Sequence, residues 1–130
     1  MTEYLRLSDL FGIARIYAGV DPEVLLASDE VVSRAQRALY APLAKEAGVE
    51  VFPDDRDKAT VLAFSLMRER PLPEKNIPVA HECMKEFLYR NGYYFDKSKS
   101  AIDPIPIWQA IANDETGAFD ALRQWVYECT

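Results

Sequence analysis

Residues 54–92, DDRDKATVLAFSLMRERPLPEKNIPVAHECMKEFLYRNG, decide how the chain is read. Asp54 or Asp55 offers an acceptor to the free amides that open a helix. Ala59, Leu62, Ala63, Leu66 and Met67 then recur at helical spacing. Acidic residues at the start, with Arg68 and Arg70 at the end, suit the helix dipole. Pro71 and Pro73 stop the helix, because proline has no amide to donate and its ring clashes with the turn before it. Asn76 is expected to cap a second helix, with Pro78 tolerated in a first turn whose amides are unpaired anyway. Ala80, Cys83, Met84, Phe87 and Leu88 form the inner face of that helix, and Asn91-Gly92 ends it.

Helical signals continue on both sides. Ser8 is expected to cap a first helix, with Leu10, Ile13, Ala14 and Tyr17 on one stripe and Gly19 at its end. Asp21-Pro22 opens a short helix through Leu26. Ser28 caps another, carrying Val31, Val32, Ala35, Ala38 and Leu39, and Pro42 closes it. Residues 41–53 are mixed. Ala44 to Ala47 could make a helical turn, Gly48 breaks it, and Val49-Glu50-Val51-Phe52 alternates like a strand. We read this stretch as a flap-like loop with room for a hairpin. Tyr93-Tyr94-Phe95 is a short extended segment. Asp103-Pro104 begins a helix through Trp108, Ile111 and Ala112, Asn113 to Gly117 turns, and a last helix carries Phe119, Leu122, Trp125 and Val126. No repeat, linker or low-complexity tract appears. The expected architecture is one all-α domain, residues 1–130, of about six or seven helices.

Composition narrows the function. The 130 residues carry 15 Lys+Arg against 21 Asp+Glu, a net charge of −6, and 49% are hydrophobic. That balance argues against a nucleic-acid binder, which needs a basic stripe. No apolar run is long enough for a membrane span, and no secretory leader is visible at the start. Cys83 and Cys129 do not form a disulfide framework, so a reduced, cytoplasmic protein is expected. One His and two Cys cannot build an ordinary structural zinc site.

The stretch Arg70-Pro71-Leu72-Pro73-Glu74-Lys75-Asn76, followed by Phe87-Leu88-x-x-Asn91-Gly92-Tyr93, resembles the Fic/Doc family, specifically its death-on-curing branch. In that family a helix ends in His-Pro-Phe/Leu, then x-Asp/Glu-Gly/Ala-Asn-Lys-Arg, and the next helix runs through Phe-Leu-x-x-Asn-Gly-Tyr. Lys58 to Leu66, Leu7-Ser8-Asp9-Leu10 and Ser33-Arg34-Ala35-Gln36 also look like the branch, so the resemblance covers most of the chain. It implies a helical fold in which nucleotide phosphates sit over the N-terminus of the second helix. A carboxylate there holds Mg²⁺, and the His is a general base for a target hydroxyl. The family moves AMP, or in this branch a phosphate, onto a protein side chain. The branch's known target is elongation factor Tu, and its usual partner is an antitoxin.

The chain departs from that pattern where the chemistry is done. Arg70 stands at the His position, and Arg stays protonated at any working pH. Lys75 stands at the Gly/Ala position, an uncomfortable choice if the backbone needs a positive φ. Ile77 and Pro78 replace the Lys-Arg cations and remove one helix amide. Leu72, Glu74 and Asn76 remain, and His81 falls where longer motifs carry a second Arg. Two readings follow. In one, the chain is a pseudoenzyme of toxin–antitoxin or phage-related type that binds a protein, antitoxin-like or target, with no cofactor. In the other, the site is rewired as a transferase. Arg70, Lys75, Asn76 and His81 would then hold nucleotide phosphate, and Glu74 would hold Mg²⁺ with ATP or act as a base.

Other features have simpler readings. Asp54-Asp55-Arg56-Asp57 suits helix capping better than a metal. His81 reads as semi-buried, and Trp108 and Trp125 as core. The tyrosines of Tyr93-Tyr94-Phe95 alternate sides, so at least one is expected on a contact surface.

Overall fold

The computed structural model describes residues 1–130. It contains seven α-helices: α1 Leu7–Ala18, α2 Pro22–Leu26, α3 Asp29–Tyr40, α4 Asp55–Glu69, α5 Asn76–Arg90, α6 Ile105–Ala112 and α7 Ala118–Cys129. Between α3 and α4, β1 Lys45–Glu46 and β2 Val49–Glu50 form an antiparallel hairpin, pairing Lys45 with Glu50 and Glu46 with Val49. The all-α expectation holds, and the hairpin lies in the stretch read as a flap. Ala47 and Gly48 both take positive φ, 50° and 79°. That is the two-residue turn whose twist matches a tight hairpin, so no helical turn forms at Ala44 to Ala47. No helix is long and apolar enough to cross a membrane.

α4 is the central element. It packs on α5, α3, α7 and α6, and the residues after α3 lie against it as well. Because neighbours surround it, burial is not confined to one stripe: Lys58 to Ala63 are all buried, as are Leu66 and Met67. α5 turns Val79, Ala80, Cys83, Met84, Phe87 and Leu88 inward, and α1 lies across it. Twenty-eight buried residues form one contiguous core that spans all seven helices.

Most helix ends obey the local rules. Asp21, Ser28 and Asp54 each accept an amide of the helix they precede, from Glu23, Val31 and Arg56 respectively. Gly19 ends α1 at φ 67°. Two expectations are corrected. Ser8 does not cap α1, because the helix already begins at Leu7 and the Asp9 carboxylate accepts the Arg6 amide at 2.7 Å. Tyr17 is not on the buried stripe; Leu10, Phe11 and Ala14 are, and Tyr17 faces outward.

Candidate functional site

The loop between α4 and α5 is built by two left-handed residues. Arg70 takes φ 49°, ψ 58°, while its amide still bonds the Leu66 carbonyl at 3.1 Å. That reversal ends α4, and Pro71 prevents its resumption. α3 secures the same end: Arg34 donates to the Glu69 carbonyl at 3.4 Å, and Arg37 Nε donates to the Glu69 carboxylate at 3.0 Å. Leu72 then drops its side chain into the core.

Asn76 closes the loop. Its Oδ1 accepts the Leu72 amide at 2.9 Å, and its Nδ2 donates to the Leu72 carbonyl at 3.0 Å. The expectation that Asn76 caps α5 is therefore corrected. It is the first helical residue, and its side chain reaches back across the loop instead of bonding the helix amides. Lys75 is the residue before the helix, at φ 60°, ψ 33°. For a residue with a Cβ this conformation costs on the order of 1 kcal/mol, so the position does require the backbone that glycine adopts freely.

The result is a cleft of about 500 Å³, lined by Arg70, Glu74, Lys75 and Asn76 with Met67 and Trp108 among its apolar neighbours. Arg70, Glu74 and Lys75 are exposed. None of them belongs to any of the nine ion pairs of the protein. The amides of Asn76 and Ile77 open α5 without a carbonyl partner, and Pro78 contributes none. The cleft thus holds two cations, one carboxylate and two free amides.

His81 is not among the lining residues. It follows Asn76 by five residues, roughly 140° further round the helix axis, so it faces away from the loop. It lies instead in an aromatic box, stacked on Trp125 at 5.7 Å between centroids and edge-on to Phe95 at 5.4 Å and Trp108 at 6.3 Å. Its Nδ1 and the Trp108 Nε1 are both buried without a hydrogen-bond partner. Burial lowers its pKa to about 4, against the opposing charge of Glu82. His81 is therefore neutral at neutral pH. The structure brings together Arg70, Leu72, Glu74, Lys75 and Asn76 and leaves His81 apart.

The acidic cluster at the start of α4 is consumed by structure. Asp54 caps the helix and pairs with the Arg56 side chain at 2.9 Å; hydrogen bonding from Arg56 holds its carboxyl below the ordinary value. Asp57 accepts from Arg123 Nε at 2.6 Å and from the Tyr127 hydroxyl at 2.9 Å. The Arg56 guanidinium lies 4.1 Å from the Tyr127 ring centroid. No group of three His, Cys, Asp or Glu is placed to share a metal. Cys83 and Cys129 are free and buried.

Two features escape a reading of the sequence. Lys58 is fully buried; its Nζ donates to the Pro53 carbonyl at 3.2 Å and pairs with Glu50 of the hairpin at 3.3 Å. The available signal is its place four residues before Leu62, on a face that is covered. The second is a groove between α1 and α5, lined by Ile13, Ile16, Tyr17, Glu82, Tyr89 and Tyr94, among others. The sequence points toward it only through the Tyr93-Tyr94-Phe95 segment. No family model, curated protein or solved structure matches the chain.

Proposed function

We propose that this chain is a Fic/Doc-like domain that works by binding a protein partner rather than by transferring a nucleotide-derived group. One observation carries the reading: no histidine lines the loop cleft. Arg70 occupies the base position and cannot give up its proton. His81, the sole histidine, stands apart in an aromatic box. Glu74 is exposed at the mouth of the cleft. An antitoxin-like or target protein is the partner class that the resemblance implies. The test is label transfer from ATP with Mg²⁺ onto proteins of a bacterial lysate, paired with co-purification from the host. We expect no transfer and a stable hetero-complex. Transfer of label would refute the reading.

A rewired phosphate site is the second reading, favoured by the unpaired Arg70 and Lys75 beside the free amides of α5. Glu74 is the only carboxylate lining the cleft. A Mg²⁺ ion held there would take its other ligands from phosphate and water. Calorimetry with ATP and Mg²⁺ on the wild type and Glu74→Ala separates the two. Binding that weakens in the variant supports the second reading, and silence at millimolar nucleotide supports the first.

A further inference from the structure

The aromatic box and the loop cleft share one residue. Trp108 lines the cleft, and it also meets His81 edge-on at 6.3 Å and Trp125 edge-on at 6.4 Å. His81 is stacked on Trp125 and lies edge-on to Phe95 at 5.4 Å. Of its two ring nitrogens, only Nδ1 is buried without a partner. The neutral ring therefore keeps its hydrogen on Nε2, and a second proton must enter at Nδ1. There it finds rings and no acceptor. The other unpartnered buried side-chain atom, Trp108 Nε1, is a donor and cannot serve.

Neighbouring charges do not make up for this. Burial is the largest influence on the ring and disfavours the proton; Glu82 on α5 favours it, while Lys85 on α5 and Lys97 in the segment after it oppose it. α6 carries no ionisable residue, and α7 presents Trp125. A proton at Nδ1 thus needs water, and one of the surrounding rings must move to admit it. Two of the rings are fixed. Trp125 is 1% exposed and Phe95 8%, and the Asp96 amide ties the segment of Phe95 to the Cys129 carbonyl of α7 at 2.8 Å. Trp108 is only partly buried, and the unfilled cleft of about 500 Å³ lies against it. It is the ring with somewhere to go.

We propose that His81 is an acid-operated latch on the cleft: a proton taken up from solvent at Nδ1 drives Trp108 out of the box and into the cleft, which it narrows. In the closed box the ring holds its proton only near pH 4, whereas a ring released to water returns to 6.5. Acid therefore favours the released arrangement progressively below 6.5, to a limit of roughly 300-fold, the factor that separates those two values. The latch does not depend on which molecule the cleft takes, so it stands or falls apart from the function proposed above.

The experiment labels the full chain with 5-fluorotryptophan and follows it by fluorine NMR from about pH 7 to about pH 3, with far-UV circular dichroism alongside. The two tryptophans give two lines, assigned with Trp108→Phe. We expect the Trp108 line alone to titrate, with a growing solvent isotope shift between light and heavy water, while the helical signal persists. The methyl carbon of Met67, which also lines the cleft, should shift with the same midpoint as the indole enters. In His81→Phe, which keeps a ring but takes no proton, the Trp108 line should stay still. A Trp108 line that moves only as the helical signal is lost would overturn the proposal, and this comparison needs no variant at position 81. So would a Trp108 line that never moves, one that titrates equally in His81→Phe, or a Trp125 line that moves in its place. A Met67 methyl that does not follow Trp108 would overturn the narrowing of the cleft.

Discussion

Replacing Asn76 tests the architecture of the loop directly. In Asn76→Ala the Leu72 amide and carbonyl lose both partners, formed at 2.9 and 3.0 Å. An intramolecular hydrogen bond contributes about 1 kcal/mol net, so the pair is worth about 2 kcal/mol. For 130 residues, unfolding entropy near the midpoint is roughly 0.27 kcal/mol/K, which converts that loss to a Tm drop of about 7 °C. Asn76→Asp keeps the acceptor and loses the donor, so about half the effect is expected. Asn76→Ser is too short to span the loop and should resemble the alanine variant. A helix-capping role predicts a different order, since Asn, Asp and Ser are nearly equivalent caps. Calorimetric melts of the three variants decide. If Asn76→Asp and Asn76→Ser melt with the parent while Asn76→Ala does not, the reasoning fails.

Other consequences can be checked in the same way. His81 has its folded pKa near 4, below the unfolded 6.5. The unfolded chain therefore binds the proton first, and stability falls as pH drops from about 6.5 to about 4, by roughly 3 kcal/mol at most. Urea titrations across that window should show the slope, and His81→Phe should flatten it; an unchanged slope would assign it elsewhere. Lys75→Gly should stabilise the protein by about 0.5–1 kcal/mol, because it removes a left-handed residue bearing a Cβ; a lower Tm would contradict the loop geometry. Glu50→Ala removes the hairpin partner of buried Lys58, which keeps only the Pro53 carbonyl. We expect a loss of about 1 kcal/mol, moderated because Glu50 is half exposed, and faster hydrogen exchange at Val51. Exchange at Val51 no faster than in the parent would show that the hairpin holds itself.

Helix positions are largely legible in the sequence because their signals are local. Asp21-Pro22, Ser28, Asp54, Gly19 and the apolar spacing of α5 each act within a turn or two of chain. What is not legible depends on distant partners. Asn76 looks like a cap to anyone reading forward, and its bond back to Leu72 exists only because Leu72 is anchored in the core. Lys58 reads as surface until the hairpin brings Glu50 against it. At the candidate site, the type of residue at positions 70, 74, 75 and 76 is enough to place them on one loop. Lys75 is uncomfortable only if its backbone needs a positive φ, a condition the sequence leaves open, and it adopts φ 60°. The separation of His81 from that loop follows from helical rotation, but the aromatic box around it is assembled from Phe95, Trp108 and Trp125, which lie far along the chain.

That box also gives the protein an internal optical gauge. Its only two tryptophans lie 6.4 Å apart with planes at 85°, and the imidazole is stacked on one of them. Excitation absorbed by either indole passes to the other, so the emission should be strongly depolarised in the native state. An imidazolium in that position would quench it. Intrinsic emission thus reports the protonation of a single side chain without any added dye, and unfolding, which exposes the indoles to water, would shift the spectrum as the imidazole leaves its ring.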